Sequence, residues 1–264
     1  MAVSIDTTAR VSRKAQIGED VVVGPYSVIG DDVIVGDRSI VGSHVVIHKL
    51  TTLGTECRIA PFASVGGAPQ DLKYRDEPTM LEVGDRCDIR EYVTLNRGTA
   101  AHGKTTIGSD CLFMANAHVA HDCIVGDRCI LANSVALAGH VTLGHWVIIG
   151  GLTPVHQFVN VGDHAMVGGA LRVIKDVPPF VIAGRDPMVY EGLNSIGLRR
   201  RGFTAETVAV IEQAYHLLYN SNLNVTQAVA TIKEKIKIIP EVQRIIDFIA
   251  ASKRGIIPGR RSRD

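Results

Sequence analysis

Gln16 to Gly42 reads QIGEDVVVGPYSVIGDDVIVGDRSIVG, and an aliphatic residue followed by glycine returns every six positions, at Ile17-Gly18, Val23-Gly24, Ile29-Gly30, Val35-Gly36 and Val41-Gly42. Followed outward in the same phase, every sixth residue from Ile5 to Val173 is Ile, Leu or Val, except Asp71, Glu77, Ala101 and Phe113. A helix needs a period near 3.6 and a plain strand a period of 2. A period of six with a small residue after the apolar one suits a short strand, a tight turn and a repeat. Three such hexads close a triangular coil of about 18 residues, and stacked coils bury one aliphatic side chain per hexad while pairing backbones like a parallel sheet. The expected fold is an all-β solenoid, a left-handed parallel β-helix over residues 1–190, with a C-terminal α-helical domain over 191–264.

Two stretches break the phase: residues 66–82 (GGAPQDLKYRDEPTMLE) and 98–104 (GTAAHGK). Insertions in a solenoid leave the stack as loops, and such loops commonly lie at the working face; a loop without a role is the alternative. Gln70, Asp71, Lys73, Tyr74 and Arg75 equip the first to grip a polar ligand. The hexads end at Val177-Pro178-Pro179, and a strand-like, then irregular stretch follows to about Gly202. Helical spacing begins after Thr204, a suitable cap, with Val208, Ile211, Tyr215 and Leu218 on one face. A second helix is expected at about 225–236, and a third after Pro240 with Val242, Ile245, Ile246 and Ile249 inward. The three would form a small bundle capping the solenoid, and a disordered tail is expected over 259–264.

Composition excludes several classes. The 264-residue chain has a net charge of +1, so no global field recruits nucleic acid or an anionic membrane. The first ten residues lack the apolar run of a secretory signal, and no stretch approaches the roughly 20 apolar residues of a membrane span. The five cysteines look dispersed and form no CxxC pair, which points to reduced thiols in a cytoplasm. Aromatics at 5% against 26 glycines fit a repetitive core.

Of ten histidines, His102, His118, His121, His140, His145 and His156 crowd one stretch. Residues 18 apart stack one coil spacing apart, roughly 4.8 Å, so His121, Gly139 and Gln157 form a column. An imidazole there can take a proton from a hydroxyl or amine, and the glycine N–H can donate to an oxyanion. Asp122 would orient His121, although successive residues of an ideal strand oppose each other, so the contact requires a corner. On the residues alone, catalysis and a structural role for His121 both stand open. His145 and His164 read as surface groups, and His44 and His48 as structural or exposed. A zinc site of His118, His121 and His140 is the metal alternative; it is disfavoured, because open zinc sites need three converging ligands. A Cys123–His121 acyl carrier is conceivable, but Cys111, Cys123 and Cys129 fall at varied hexad positions with no oriented triad. There is no Walker motif and no GxGxxG after a strand. Arg199, Arg200 and Arg201 suit either a phosphate or a solvated face.

Five motifs then appear in order: QDLKY at 70–74, NAHVAHDC at 116–123, LAN at 131–133 with AGH at 138–140, GGLTPVHQF at 150–158 and GLRRRGF at 197–203. Together they resemble the acyl-carrier-protein–UDP-N-acetylglucosamine O-acyltransferases that open lipid A synthesis, across essentially the whole chain. The resemblance implies a homotrimer with sites between neighbouring solenoids, no bound cofactor, and an acyl donor carried on the phosphopantetheine arm of acyl carrier protein. It implies His121 as general base toward the glucosamine 3-hydroxyl, Asp122 as its support, and the Gly139 N–H as oxyanion donor. Gln70, Asp71 and Lys73 match the substrate loop, and His118, His140, His156 and Gln157 match pocket positions. Asn194, Arg200 and Arg201 match the segment holding the nucleotide, and Gly169 the place that limits acyl length. Asn96 stands where many relatives have His, and Ile196 where many have Glu, which leaves a 3-amino acceptor as the alternative. A later N-acyltransferase of the same pathway would carry an N-terminal domain before its hexads, whereas here they begin at Ile5. A non-catalytic scaffold is the alternative of another class.

Overall fold

The computed structural model describes residues 3–260. From Ser4 to Val167 the chain runs as two- to four-residue strands separated by turns, wound into a left-handed parallel β-helix with three flat faces. The first face has eleven strands, starting with Ser4–Ile5; the second and third have eight each, starting with Arg10–Val11 and Gln16–Ile17. Coils without insertions stack in an 18-residue register, as in Ser4 on Val22 and His118 on Ala136.

The aliphatic member of each hexad points inward as expected: Ile47, Val65, Ile89, Leu95 and Leu137 are fully buried, and Phe113 fills an equivalent place. A second inward position was not read from the sequence. Two residues before most of the aliphatic ones sits a second buried residue, usually small, such as Val21, Ser27, Val33, Ser39, Ala63 or Ala117. All five cysteines occupy it, so their hexad positions are uniform, contrary to expectation. Each thiol is buried and donates to a carbonyl of a following coil, as Cys111 Sγ does to Gly126 O at 3.2 Å and Cys123 Sγ to Ala138 O at 3.2 Å. Ser27 and Ser39 cap carbonyls in the same way. Burial is the first cause holding the Cys123 thiol up at about 12, so it is no nucleophile.

The turns also differ from expectation. The left-handed backbone falls not on the glycine but two residues later, on Asp20, Tyr26, Asp32, Arg38, His44 and their successors. Most such corners are held by a bond to the coil below, as when Arg38 N–H donates to Glu19 O at 2.8 Å. The glycines answer a different need, close approach: a Cβ on Gly36 would lie 2.5 Å from the Gly54 backbone.

Both insertions leave at the same edge, between the second and third faces. They span residues 68–79 and 97–103; the first is shorter than expected because Ser64–Gly67 and Met80–Val83 are paired strands, and the second lies one residue earlier because Lys104 opens the strand Lys104–Ile107. Beyond the coils, a hairpin of Val181–Gly184 and Val189–Leu193 extends the first face. Four helices follow rather than three: α1 (Ser195–Arg200), α2 (Ala205–Tyr219), α3 (Val225–Lys235) and α4 (Pro240–Ala251). The short α1 lies in the stretch expected to be irregular. Thr204 caps α2, and Asn224 with Gln227 forms a reciprocal capping box on α3. Residues 256–259 return to the body through Asp176, Tyr190 and Tyr219; the rest of the expected disordered tail, 261–264, lies outside the described residues.

His164 joins solenoid to cap. Expected at the surface, it is buried among Trp146, Phe180 and Phe203 and accepts from the Arg201 guanidinium at 3.3 Å. Burial, then Arg201, holds it neutral down to about 4. An unfolded histidine takes a proton near 6.5, so stability is lost as pH falls from there toward 4. Relative to His164→Phe, which suits the surrounding rings, the unfolding free energy should drop by on the order of 3 kcal/mol between pH 7 and 4 in chemical denaturation. Parallel pH curves for the two proteins would show that His164 does not carry this dependence.

Candidate active site

The edge that releases both insertions carries, in the next three coils, the turns at 121–122, 139–140 and 157–158. The column read from the sequence is present: a Cβ built on Gly139 would lie 2.7 Å from His121 Nε2 and 2.6 Å from Cε1. Only glycine leaves the ring its place. Asp122 adopts φ 59° at this corner, which turns its carboxylate back beside its neighbour. The contact that an ideal strand forbids is thereby made, with His121 Nδ1 2.8 Å from Asp122 Oδ2.

Asp122 is buried, and burial opposes its ionisation; bonds from Thr99 and His121 outweigh this and hold the carboxyl below its usual range. Thr99 N–H donates to Oδ1 at 2.9 Å and Thr99 Oγ–H to Oδ2 at 2.6 Å, while the Asp122 N–H donates to Thr105 Oγ1. A carboxylate can only accept, so His121 Nδ1 carries a proton, and in the neutral ring the lone pair is on Nε2, beneath Gly139. Among the described residues nothing accepts from the Gly139 N–H. Along the next edge, by contrast, such turn amides are capped by a side chain one coil on, as Ser109 N–H is by Asp127.

His140 meets His121 and His102 edge-on and stacks on Phe158. Its Nε2 is 3.7 Å from Asp122 Oδ2, and burial lowers its affinity for a proton. His118 turns to Thr94, Nδ1 to Oγ1 2.7 Å, and burial lowers its affinity for a proton. His121, Asp122 and His140 offer ligand atoms within 4.8 Å of one another. The 2.8 Å separation within this set is that of a hydrogen bond, whereas ligands on a tetrahedral zinc stand about 3.3 Å apart. His156 is exposed, and with Gln157 and Arg172 it lines a cavity of about 370 Å³ beside the column.

The first loop is pinned from below by Arg97, a buried residue the sequence reading passed over. Its guanidinium donates to Gly66 O, Tyr74 Oη and Asp76. Lys49 holds Asp76 from the other side at 2.9 Å. Gln70 and Lys73 face solvent, while the charge of Asp71 reaches His140. Asn96 is buried and donates to Gly67 O, so it supports the loop's root.

The remaining predicted residues lie elsewhere. Asn194, Arg200 and Arg201 line a cavity of about 610 Å³ with Ile148, Met166, Ile182 and the exposed Ile196, on the first face. Asn194 is committed within the chain: it caps α1 and donates to His164 O at 2.9 Å. Arg201 lies over the Trp146 ring. Gly169 sits at the edge between the first and second faces, where a Cβ would come 3.1 Å from Gly151 O. One chain therefore does not bring these residues to His121.

Comparison with known proteins places the chain in one family. Residues 14–49 and 104–139 match the bacterial transferase hexapeptide model, and 176–257 match the second domain of UDP-N-acetylglucosamine O-acyltransferase. The acyl-[acyl-carrier-protein]–UDP-N-acetylglucosamine O-acyltransferase of Thiobacillus denitrificans is 51% identical over 96% of this chain and 99% of its own. The chain belongs to that family. The member from Herminiimonas arsenicoxydans is 49% identical over 96% and 98% of the two chains. Among solved structures, LpxA from Acinetobacter baumannii superposes with a TM-score of 0.92 at 44% identity, covering 96% of this chain and 99% of that one. The Arabidopsis enzyme gives 0.84 at 32% identity over 96% and 99%. Among the described residues no helix is long and apolar enough to cross a membrane.

Gly139→Ala tests the column. The added methyl must displace a ring that Asp122 holds, so turnover should fall at least ~100-fold, with the melting temperature nearly unchanged. Near-normal turnover would mean that His121 does not work beneath Gly139.

Proposed function

We propose that the chain transfers a 3-hydroxyacyl group from acyl carrier protein to the 3-hydroxyl of UDP-N-acetylglucosamine, the first step of lipid A synthesis. The observation that carries the mechanism is the His121–Asp122 pair beneath the open Gly139 amide. His121 Nε2 takes the proton from the sugar hydroxyl as that oxygen attacks the thioester carbonyl carbon. Asp122 stabilises the imidazolium that forms, and the Gly139 N–H donates to the oxyanion. Collapse breaks the carbon–sulfur bond, and the departing pantetheine thiolate receives the proton from His121. No covalent acyl-enzyme is needed, in keeping with a buried, un-ionised Cys123.

The complete site lies between two chains of a homotrimer. Support comes from the placement of the predicted residues on different sides of one solenoid, and from the surfaces a neighbour would cover. Val22, Ile40 and Met166 project from the first face, and Tyr26, His44, Phe62 and Tyr92 stack along its edge at 5.0–5.2 Å, largely exposed. Exposed apolar surface of this extent marks an interface. Arg200 and Arg201 of one chain would then hold the nucleotide phosphates while His121 of its neighbour works on the sugar. Gln70, Asp71, Lys73, His118, His140, His156 and Gln157 would line the cleft between them. Gly169, lacking a side chain, leaves room for a long acyl chain.

Purified protein incubated with UDP-N-acetylglucosamine and 3-hydroxyacyl carrier proteins of graded length should give an acylated nucleotide sugar by mass, with one preferred length. His121→Ala should lower the rate at least ~1,000-fold, and the wild-type rate should fall on the acid side as the base is protonated. Product formed equally well by His121→Ala would overturn the mechanism. Product only from a 3-amino acceptor would overturn the hydroxyl assignment.

A further inference from the structure

The second insertion, 97–103, makes no obvious claim on substrate: its Gly98, Thr99 and Arg97 are buried, and none belongs to the motifs that carry the family resemblance. Its shape nevertheless depends on a close backbone approach. A Cβ on Gly98 would lie 2.4 Å from Lys104 N, so the loop's two ends touch and its stem is closed. Within it, Gly103 N–H donates to Thr99 O at 2.7 Å and Ala101 N–H to Thr99 Oγ1 at 3.2 Å. Arg97, one residue before the stem, is locked to the first insertion through Gly66, Tyr74 and Asp76. These contacts leave Thr99 fixed, with both its donors on the carboxylate of Asp122.

We propose that Thr99 is the positioning residue of the catalytic pair, holding Asp122 in the one orientation in which it presents Oδ2 to His121 Nδ1, and that the second insertion exists to deliver it. This rests on the reading of His121 as the base. Oδ1 is taken by the Thr99 N–H, and Oδ2 is shared by the Thr99 hydroxyl and His121. With both oxygens engaged the carboxylate cannot rotate about its final bond without losing a bond in the buried interior, a costly loss. Thr105 fixes the main chain of the same residue by accepting the Asp122 N–H at 2.8 Å. The hydroxyl has a second effect. It draws charge from Oδ2, so the carboxylate stabilises the protonated imidazole less than it would alone. Thr99 thereby tempers that stabilisation while holding Asp122 in place.

The test compares Thr99→Val, which keeps the N–H and the shape but removes the hydroxyl, with Thr99→Ser, which restores it. His121→Ala and wild type are assayed in parallel with acyl carrier protein thioester and UDP-N-acetylglucosamine. Thr99→Val should lose ~10- to 100-fold in kcat, as is usual when a hydrogen-bonded support of a catalytic group is removed. KM for the nucleotide sugar should stay within about 2-fold, and the acid limb of kcat/KM should move toward higher pH. Thr99→Ser should return kcat to within about 3-fold of wild type and restore the limb. Wild-type kcat and pH profile in Thr99→Val would overturn the proposal. So would a loss of kcat that Thr99→Ser does not repair and that leaves the acid limb in place, since that is the mark of a loop needed only for packing. If His121→Ala is as active as wild type, the base assignment itself fails, whatever Thr99 does.

Discussion

Backbone hydrogen bonds between successive coils hold each residue over the one a turn of the solenoid earlier, and the rest of the structure depends on that register. His121 lies beneath Gly139 because His118 pairs with Ala136 and the His140 N–H donates to His121 O at 3.0 Å. The corners that make the register possible put ordinary residues, Asp122 among them, in the left-handed region. Such a conformation is costly for a residue with a side chain, and the bond that most corners make to a neighbouring coil offsets it. At 122 the same corner bends a carboxylate against the preceding histidine. Strain needed for the fold thus also brings these two side chains together.

The first feature legible in the sequence was this register. A period of six over most of the chain fixes which side chains point inward, and subtraction by 18 identifies the column of His121, Gly139 and Gln157 without any structure. The insertions were also visible, as losses of phase. What could not be read was tertiary in origin. Thr99 has no pattern of its own: its significance lies in a stem closed by Gly98 and in a carboxylate more than twenty residues away. Arg97 likewise belongs to no motif, and its role lies in a guanidinium enclosed by the first loop. His164 follows a turn, as exposed histidines do, yet the helical cap descends on it through Phe203 and Arg201.

The cysteines show how a regular repeat can hide a second regularity. Five thiols scattered along the sequence share one hexad position, where a small residue fits inside the coil and caps a carbonyl of a following coil. Serine and threonine serve at the same place. The position selects for size and admits a donor, so it varies among Val, Ala, Ser, Thr and Cys and carries no strong apolar signature. The aliphatic position, selected only for bulk and apolarity, carries one.

A solenoid binds along its faces and edges and has no interior pocket to offer, so a site for two large substrates is built most simply between two solenoids. The dyad on one edge and the arginine-lined cavity on the opposite face fit that geometry. Subunit complementation tests it most directly. His121→Ala and Arg201→Ala chains, each inactive alone, are unfolded together, refolded as mixed trimers and assayed. If each site takes His121 from one chain and Arg201 from its neighbour, random mixing leaves about a quarter of the sites intact, and activity should return to about that fraction of wild type. Mixed trimers no more active than the two parents would contradict a shared site.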